Sequence, residues 1–258
     1  MICISVFALS TPNGHAQIIL GQANNSDDAT RTATFTYNSG IVTDSGANAN
    51  DWSISNTFSG GTNGDSFTLS LVPARNWAPG ATGTAVNAAT YNTFVTSGLD
   101  SSNVILNNVT NSIAVNSNAD GGVVNSDSDG ARMSDNEVLV FTIDSVSIAA
   151  GSELLFFGAS GFENFTAADD LDFVLYDAST STFLNTAFTS GAAGSQNLNG
   201  GAGYALEAGD SFIFASSGAA DDRWRLSGLQ FDVVPEPSTF ALLSLGLAGL
   251  LILRRRRS

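Results

Sequence analysis

Short apolar runs between clusters of Gly, Asn, Asp and Ser constrain the fold of this 258-residue chain more than any other feature. Seven runs have the alternation, or the β-branched and aromatic content, of strands: residues 32–37, 66–72, 137–143, 153–157, 172–176, 211–215 and 223–233. Outside the two ends of the chain, no amphipathic helical pattern exceeds two turns. We therefore expect an all-β fold, an antiparallel β-sandwich that is jelly-roll-like, because many short strands with regular turns are typical of that class.

The run at residues 137–143 is apolar on both faces. Leu139, Phe141 and Ile143 share one face at the strand period of two, and Val138 and Val140 occupy the other. A strand with two apolar faces is buried on both sides, so we expect it in the middle of a sheet.

The apolar residues change parity within the last predicted strand. Two of them precede Gly228 at even positions and three follow it at odd positions: Trp224, Leu226, Leu229, Phe231 and Val233. A one-residue bulge at Ser227–Gly228 returns all five to one face, with Trp224 in the core. This strand is expected to end the folded body.

A local pattern occurs twice, at residues 148–156 and 206–214. In each copy an apolar anchor leads into a turn centred on Gly151 or Gly209, and a strand follows. Glycine supplies the positive φ that such turns need. Two copies predict two similar hairpins.

The first half, residues 20–130, has fewer large apolar residues than residues 131–233. We expect one sandwich across both halves; a weakly structured first half beside a compact second half is the alternative.

The last 25 residues have a different character from the body. Pro235, Glu236 and Pro237 precede a mostly apolar, uncharged run at residues 239–253. Four cations follow: Arg254, Arg255, Arg256 and Arg257. As a helix, residues 237–253 span about 25 Å at 1.5 Å per residue, close to the ~30 Å hydrocarbon core of a bilayer. We predict a single transmembrane helix with its Arg cluster in the cytoplasm. The alternative, a C-terminal helix of a soluble core, is disfavoured because the run has no polar face.

This tail resembles the PEP-CTERM sorting signal, which has a Pro-Glu-Pro box, a hydrophobic stretch and a terminal basic cluster in that order. The resemblance covers residues 234–258. It implies a bacterium with an outer membrane that makes exopolysaccharide. It also implies export across the inner membrane and cleavage near the box by an exosortase, a membrane transpeptidase. Pro235, Glu236 and Pro237 are the recognition residues by analogy. The product is then expected at the cell surface or in the extracellular matrix.

The sorting signal normally accompanies an N-terminal signal peptide. Residues 2–9 are mostly apolar, and Gly14-His15-Ala16 has the small-x-small form of a cleavage site. We predict a signal peptide at residues 1–16, shortened at its start because the positive region is missing. The body is then residues 17–233, and the sorting signal is residues 234–258. The alternative is that residues 1–20 form a first strand.

Charge and residue types exclude several functions. The chain has 24 acidic residues, nine Arg and no Lys, with a net charge of −15, so it lacks the basic surface that nucleic-acid binding needs. The body at residues 17–233 has 23 acidic residues and five Arg, a net charge of −18. It contains no Cys, His or Lys, which excludes nucleophiles of the Cys–His or Ser–His type, Schiff bases and N/S zinc sites. We predict that the protein is not an enzyme.

Two six-residue segments have the form N-x-[ND]-x-D-G, at residues 116–121 and 125–130. Oxygen ligands at alternate positions before a Gly are typical of loops that bind Ca²⁺. Position 12 of the second segment is Asn136, so it is not an EF-hand. A polar loop with Asx-turns is the alternative. The candidate calcium ligands are Asn116, Asn118, Asp120, Asn125, Asp127 and Asp129.

These observations predict a structural or adhesive, non-catalytic protein of the surface or exopolysaccharide matrix. A carbohydrate-binding module, stabilised by calcium, is the alternative; Trp77, in a predicted loop, is then the candidate for contact with the exopolysaccharide. A third possibility is a glycoside hydrolase with two carboxylates about 5–10 Å apart.

Overall fold

The computed structural model describes thirteen segments of the chain. They are residues 16–20, 31–37, 42–44, 52–54, 62–76, 99–100, 104–109, 112–117, 137–163, 171–185, 196–197, 202–216 and 224–235. These segments form sixteen strands and no helix. Every strand pair is antiparallel, so the expected all-β, antiparallel class is confirmed for this part of the chain.

The first strand begins at Ala16 and the last ends at Pro235. Their bounds in chain order are β1 Ala16–Leu20, β2 Arg31–Thr36, β3 Val42–Asp44, β4 Trp52–Ile54, β5 Ser66–Asn76, β6 Leu99–Asp100, β7 Val104–Val109, β8 Ser112–Ser117, β9 Glu137–Ser147, β10 Ser152–Glu163, β11 Leu171–Asp177, β12 Thr182–Asn185, β13 Gln196–Asn197, β14 Tyr204–Leu206, β15 Ser211–Ser216 and β16 Arg225–Pro235. β1 begins at Ala16, where the alternative interpretation of the N-terminus placed a first strand.

The strands form two sheets of eight. The first sheet has the order β13-β10-β16-β1-β4, with β14 on β10 and the β7–β8 pair on β16. The second sheet has the order β12-β11-β15-β9-β5-β2-β3, with β6 on β5. Strands from both halves of the chain occur in each sheet.

One hydrophobic core joins the two sheets. Its buried side chains come from β1, β8, β10, β14 and β16 of the first sheet and from β2, β5, β9, β11 and β15 of the second. Aromatic rings meet between the sheets: Phe67 and Phe231 have centroids 5.2 Å apart, and Phe156 and Phe212 are 4.3 Å apart. Such ring pairs stabilise the core beyond simple burial of apolar area.

β9 lies between β15 and β5, so the prediction of a central strand is confirmed. Leu139, Phe141 and Ile143 are buried in the main core. Val138 belongs to a second, smaller buried cluster on the outer face of the same sheet, and Val140 packs against it. The alternation of the sequence therefore identified both faces correctly.

The predicted bulge in β16 is also present. Gly161 of β10 pairs with Gly228, and the next residue, Phe162, pairs with Leu226, so Ser227 has no opposite residue on β10. The apolar residues on both sides of the bulge consequently face the same core. They are Trp224, Leu226, Leu229, Phe231 and Val233.

The prediction of two hairpins is wrong. Gly151 and Gly209 have φ values of +78° and +99°, as expected, and each lies in a β-turn. However, the turn at Gly151 leads from β9 of the second sheet to β10 of the first, and that at Gly209 leads from β14 of the first sheet to β15 of the second. The local pattern fixes a turn and an inward-facing strand, but it does not specify the strand's pairing partner.

A further turn, missed by the sequence analysis, repeats the one at residues 207–210. Residues 64–67 and 209–212 both read Gly-Asp-Ser-Phe. The backbone N–H of Asp65 donates to Thr62 O at 3.0 Å, and that of Asp210 donates to Glu207 O at 3.2 Å. The aspartate Oδ2 accepts the backbone N–H of Thr62 or Glu207 at 2.7 Å in each case. We call residues 62–65 and 207–210 the two Gly-Asp corners.

Candidate functional site

The end of β16 carries the first residues of the tail signal. Val233, Val234 and Pro235 pair with residues 154, 153 and 152 of β10, respectively. The strand therefore continues into the Pro-Glu-Pro box rather than ending before it. Both β10 and β16 are long strands within the first sheet, and their pairing runs from Ser152–Pro235 to Glu163–Arg225.

Burial changes over this junction within two residues. Val233 is fully buried in the core, whereas Val234 is 37% exposed. Asp232 is buried, and its Oδ1 accepts the backbone N–H of Val233 at 2.9 Å. One residue thus separates the last core side chain from Pro235.

The second sheet contributes a phenol to this end of the core. Tyr37, which follows β2, is fully buried in the same cluster as Val233. Burial raises the pKa of the Tyr37 phenol above its usual range, and the carboxylates of Asp232 and Asp65 raise it further. The phenol is therefore neutral at any physiological pH and serves as a core side chain.

The residues predicted for sorting are only partly within the described structure. Pro235 is the last residue of β16, opposite Ser152. The other predicted sorting residues lie outside the described residues: Glu236, Pro237, Arg254, Arg255, Arg256 and Arg257. The predicted transmembrane helix lies there too. Within the thirteen described segments, no helix has the length and apolar content needed to cross a membrane.

The predicted calcium and glycan residues lie almost entirely outside the described segments. Asn116 is in β8, opposite Ile105 of β7, so the first segment of the calcium prediction begins at the end of a strand. The remaining candidates are outside: Trp77, Asn118, Asp120, Asn125, Asp127 and Asp129. In the part of the chain that the structure describes, no three His, Cys, Asp or Glu residues are grouped so as to hold a metal. Calcium binding stays a prediction.

Two of the buried carboxylates in the described segments have structural partners. Asp210 accepts the backbone N–H groups of Ala178 at 2.8 Å and Glu207 at 2.7 Å. Asp65 accepts the backbone N–H of Thr62 at 2.7 Å. Satisfied acceptors of this kind close turns and tie neighbouring segments together.

Residues 152–154 of β10 belong to this junction, although no sequence pattern indicated them. These residues hold Val233, Val234 and Pro235 in the sheet through strand pairing. No local signal could have found them, because pairing partners that lie about 80 residues apart in the chain leave no mark on either segment alone.

The tail matches a known family model. The PEP-CTERM protein-sorting motif covers residues 233–257, which confirms the resemblance stated from the sequence. The chain has no significant match to a curated protein or to a solved structure. The motif implies that the protein is exported, is processed by an exosortase, and reaches the surface or the extracellular space.

Proposed function

We propose that this protein is a secreted, exosortase-processed component of the bacterial surface or exopolysaccharide matrix, with a structural or adhesive and non-catalytic role. The observation that carries the proposal is the sorting motif that begins inside the last strand of a folded body. An exported domain whose final strand leads directly into its sorting signal is suited to display at the surface.

The body is proposed to be a β-sandwich of the jelly-roll kind. The common core between the two sheets supports a sandwich. The path of the chain supports the jelly-roll comparison, since β9, β10 and β11 alternate between the sheets and β14, β15 and β16 do the same.

The composition of the body fits a solvated extracellular role. Residues 17–233 carry 23 acidic residues against five Arg, so self-repulsion favours solubility. The same residues include no Cys, His or Lys, which removes thiol and amine nucleophiles and the imidazole base. The acidic charge supports a solvated extracellular role, and the missing residue types support a non-catalytic one.

The fold also limits where the exosortase cuts. A cut before Val233 removes a buried core side chain and the last pairs of β16 with β10. A cut after Pro235 leaves β16 complete. We therefore place the scissile bond on the C-terminal side of Pro235, where the released body keeps its whole last strand.

Cell fractionation of the native host and of a strain without its exosortase tests the proposal. In the native host, we expect the body in the outer-membrane, matrix or culture fractions without its Arg-capped tail. In the deletion strain, we expect the uncut chain in the inner-membrane fraction. The same uncut chain in both strains contradicts the proposal.

A further inference from the structure

The outer face of the second sheet is divided sharply into two halves. On one half, the outward side chains of β9, β11 and β15 are apolar and buried, as in Val138, Val174 and Ile213. On the other half, the outward positions of the neighbouring rows carry hydroxyls instead. The change occurs between two adjacent rows: Val140 and Ile213 are paired across β9 and β15, and so are Thr142 and Ser211.

We define the hydroxyl face by six residues, all half-buried: Thr32, Thr34, Thr68, Ser70, Thr142 and Ser211. They lie outward because the residues between them along β2 and β5, such as Ala33 and Leu69, are buried in the core between the sheets. The face is therefore the outer side, turned away from the core between the sheets, of four adjacent strands, β2, β5, β9 and β15.

Strand register places these hydroxyls in rows. Thr32 pairs with Ser70, Ser70 with Thr142, and Thr142 with Ser211, so one row crosses all four strands. Thr34 pairs with Thr68 in the next row. Neighbours are spaced at about 4.8 Å across strands and about 6.8 Å along a strand.

Hydrogen bonds to neighbouring side chains orient several of these hydroxyls. The Oγ atoms of Thr34 and Thr68 are 3.2 Å apart, and those of Thr142 and Ser211 are 3.1 Å apart. The Ser70 hydroxyl donates to Oδ1 of the exposed Asp144 at 3.0 Å. A hydroxyl has one donor and two acceptor positions, so a fixed hydroxyl with one such bond can still bind a ligand group.

Charge indicates the chemistry of the occupant. The six residues of the hydroxyl face are neutral, the exposed carboxylate beside Ser70 is that of Asp144, and the whole chain has a net charge of −15. Anionic polymers are repelled by such a protein over the Debye length. A neutral ligand with many hydroxyls avoids this repulsion and can both donate to and accept from the rows.

The twist of the sheet favours contact with a flexible chain over contact with a flat solid surface. Adjacent strands rotate by roughly 20–25°, so four strands turn by about 60–75° in total. A planar crystalline surface contacts only part of such a face. A single flexible polymer chain can follow the whole row from Thr32 to Ser211.

We propose that the hydroxyl face binds a neutral polysaccharide chain. This inference rests on the proposed function, since a matrix protein needs a surface that contacts the matrix, and it assigns that contact to this face. Each hydroxyl contributes little on its own, so the binding strength depends on many neighbouring contacts and on display of many copies at a surface.

Affinity gel electrophoresis of the mature protein from its native host tests the proposal. The probes are dextran, amylose, galactomannan and hydroxyethyl cellulose, each cast into a native gel. The triple variant Thr34→Val, Thr68→Val and Thr142→Val removes three hydroxyls but keeps the β-branched shape that strands favour. We expect retardation of the wild type by at least one probe and a loss of about five-fold or more in affinity for the triple variant.

Thr182→Val provides the matched control, because its exposed hydroxyl is also hydrogen-bonded, to Thr180 at 2.6 Å, but lies outside the hydroxyl face. We expect it to bind like the wild type. If the triple variant unfolds, as judged by circular dichroism, the pair Thr32→Val and Ser70→Ala replaces it.

Retardation of the wild type by none of the four probes overturns the inference, as does equal retardation of the wild type and the folded variants. Fractionation of the same strains keeps this outcome separate from the proposed function. A correctly processed protein that binds no probe contradicts only the role of the hydroxyl face, whereas an uncut tail contradicts the proposed function, whatever the gels show.

Discussion

The two Gly-Asp corners begin with the same residues but differ in their surroundings. At both corners a Gly with φ near +100° precedes a buried Asp, and the next Phe stacks on a Phe of the neighbouring strand, with centroids 5.2 Å apart for Phe67 and Phe35 and 5.0 Å for Phe212 and Phe141. The aspartate main-chain carbonyl extends the sheet in each case, by accepting the N–H of Tyr37 or Ile143.

The tertiary contacts distinguish the corners. Asp210 accepts an additional N–H from Ala178, which ties the end of β11 to the corner, whereas Asp65 accepts only the N–H of Thr62 among the described residues. The local sequence therefore specifies the turn, and we expect the neighbouring segments to set how much the turn contributes to stability.

Removal of the aspartate carboxylate is expected to give the largest difference in lost stability between the two corners. Asp210→Ala leaves two backbone N–H groups without their acceptor and should lower the free energy of unfolding by about 3 kcal/mol. Asp65→Ala leaves one and should cost about 1.5 kcal/mol. Urea unfolding of the mature protein measures both values; equal losses would show that the Ala178 contact contributes nothing.

Substitution of the corner glycines should give a smaller difference in lost stability between the two corners. A Cβ at Gly64 meets no atom within 4 Å, so Gly64→Ala introduces only the strain of a positive φ, about 1 kcal/mol. A Cβ at Gly209 lies 3.2 Å from the Cβ of Ala178, so Gly209→Ala should cost about 2 kcal/mol. If Gly64→Ala proves the more damaging in the same urea assay, the assignment of neighbours is contradicted.

Alkaline pH should destabilise the first corner specifically. The pKa of Tyr37 is raised in the folded protein, so above pH 10 the unfolded chain loses this proton while the folded chain keeps it. Stability that is complete below pH 10 therefore falls as pH rises, by up to about 1.4 kcal/mol per pH unit from this group. Ile143 holds the equivalent place at the second corner and does not titrate.

Tyr37→Phe checks this assignment. The variant should lose the Tyr37 share of the pH dependence between pH 10 and 11, while Tyr204→Phe, at a partly buried position beside the core, should keep it. Identical slopes for Tyr37→Phe and the wild type would contradict the role of this phenol.

The sequence predicted those features that depend on the order of residues within one segment. Alternation identified the two faces of β9, and the change of parity located the bulge at Ser227–Gly228. The burial of Trp224 follows from the same reasoning and is confirmed. In each case, successive side chains of a strand point to opposite faces of the sheet, so a residue's position in the strand determines the face on which it lies.

Features that depend on pairing could not be predicted. The turns at Gly151 and Gly209 join different sheets, and nothing in residues 148–156 specifies that β10 pairs with β16 rather than with β9. The rows of the hydroxyl face exist only because register aligns Ser70 with Thr142. The first Gly-Asp corner, by contrast, was open to detection, since Gly-Asp-Ser-Phe occurs twice in the chain.

The intact mass of the mature protein, released from the native host, shows whether and where the exosortase cuts the chain. We expect a C-terminal residue at Pro235 or beyond it, with the apolar stretch and its Arg cluster removed, because β16 must keep Val233 in the core and Pro235 opposite Ser152. A mass that extends to Ser258 contradicts exosortase processing. A processed C-terminus before Pro235 contradicts the claim that the last strand limits the cut, because it removes residues that pair with β10.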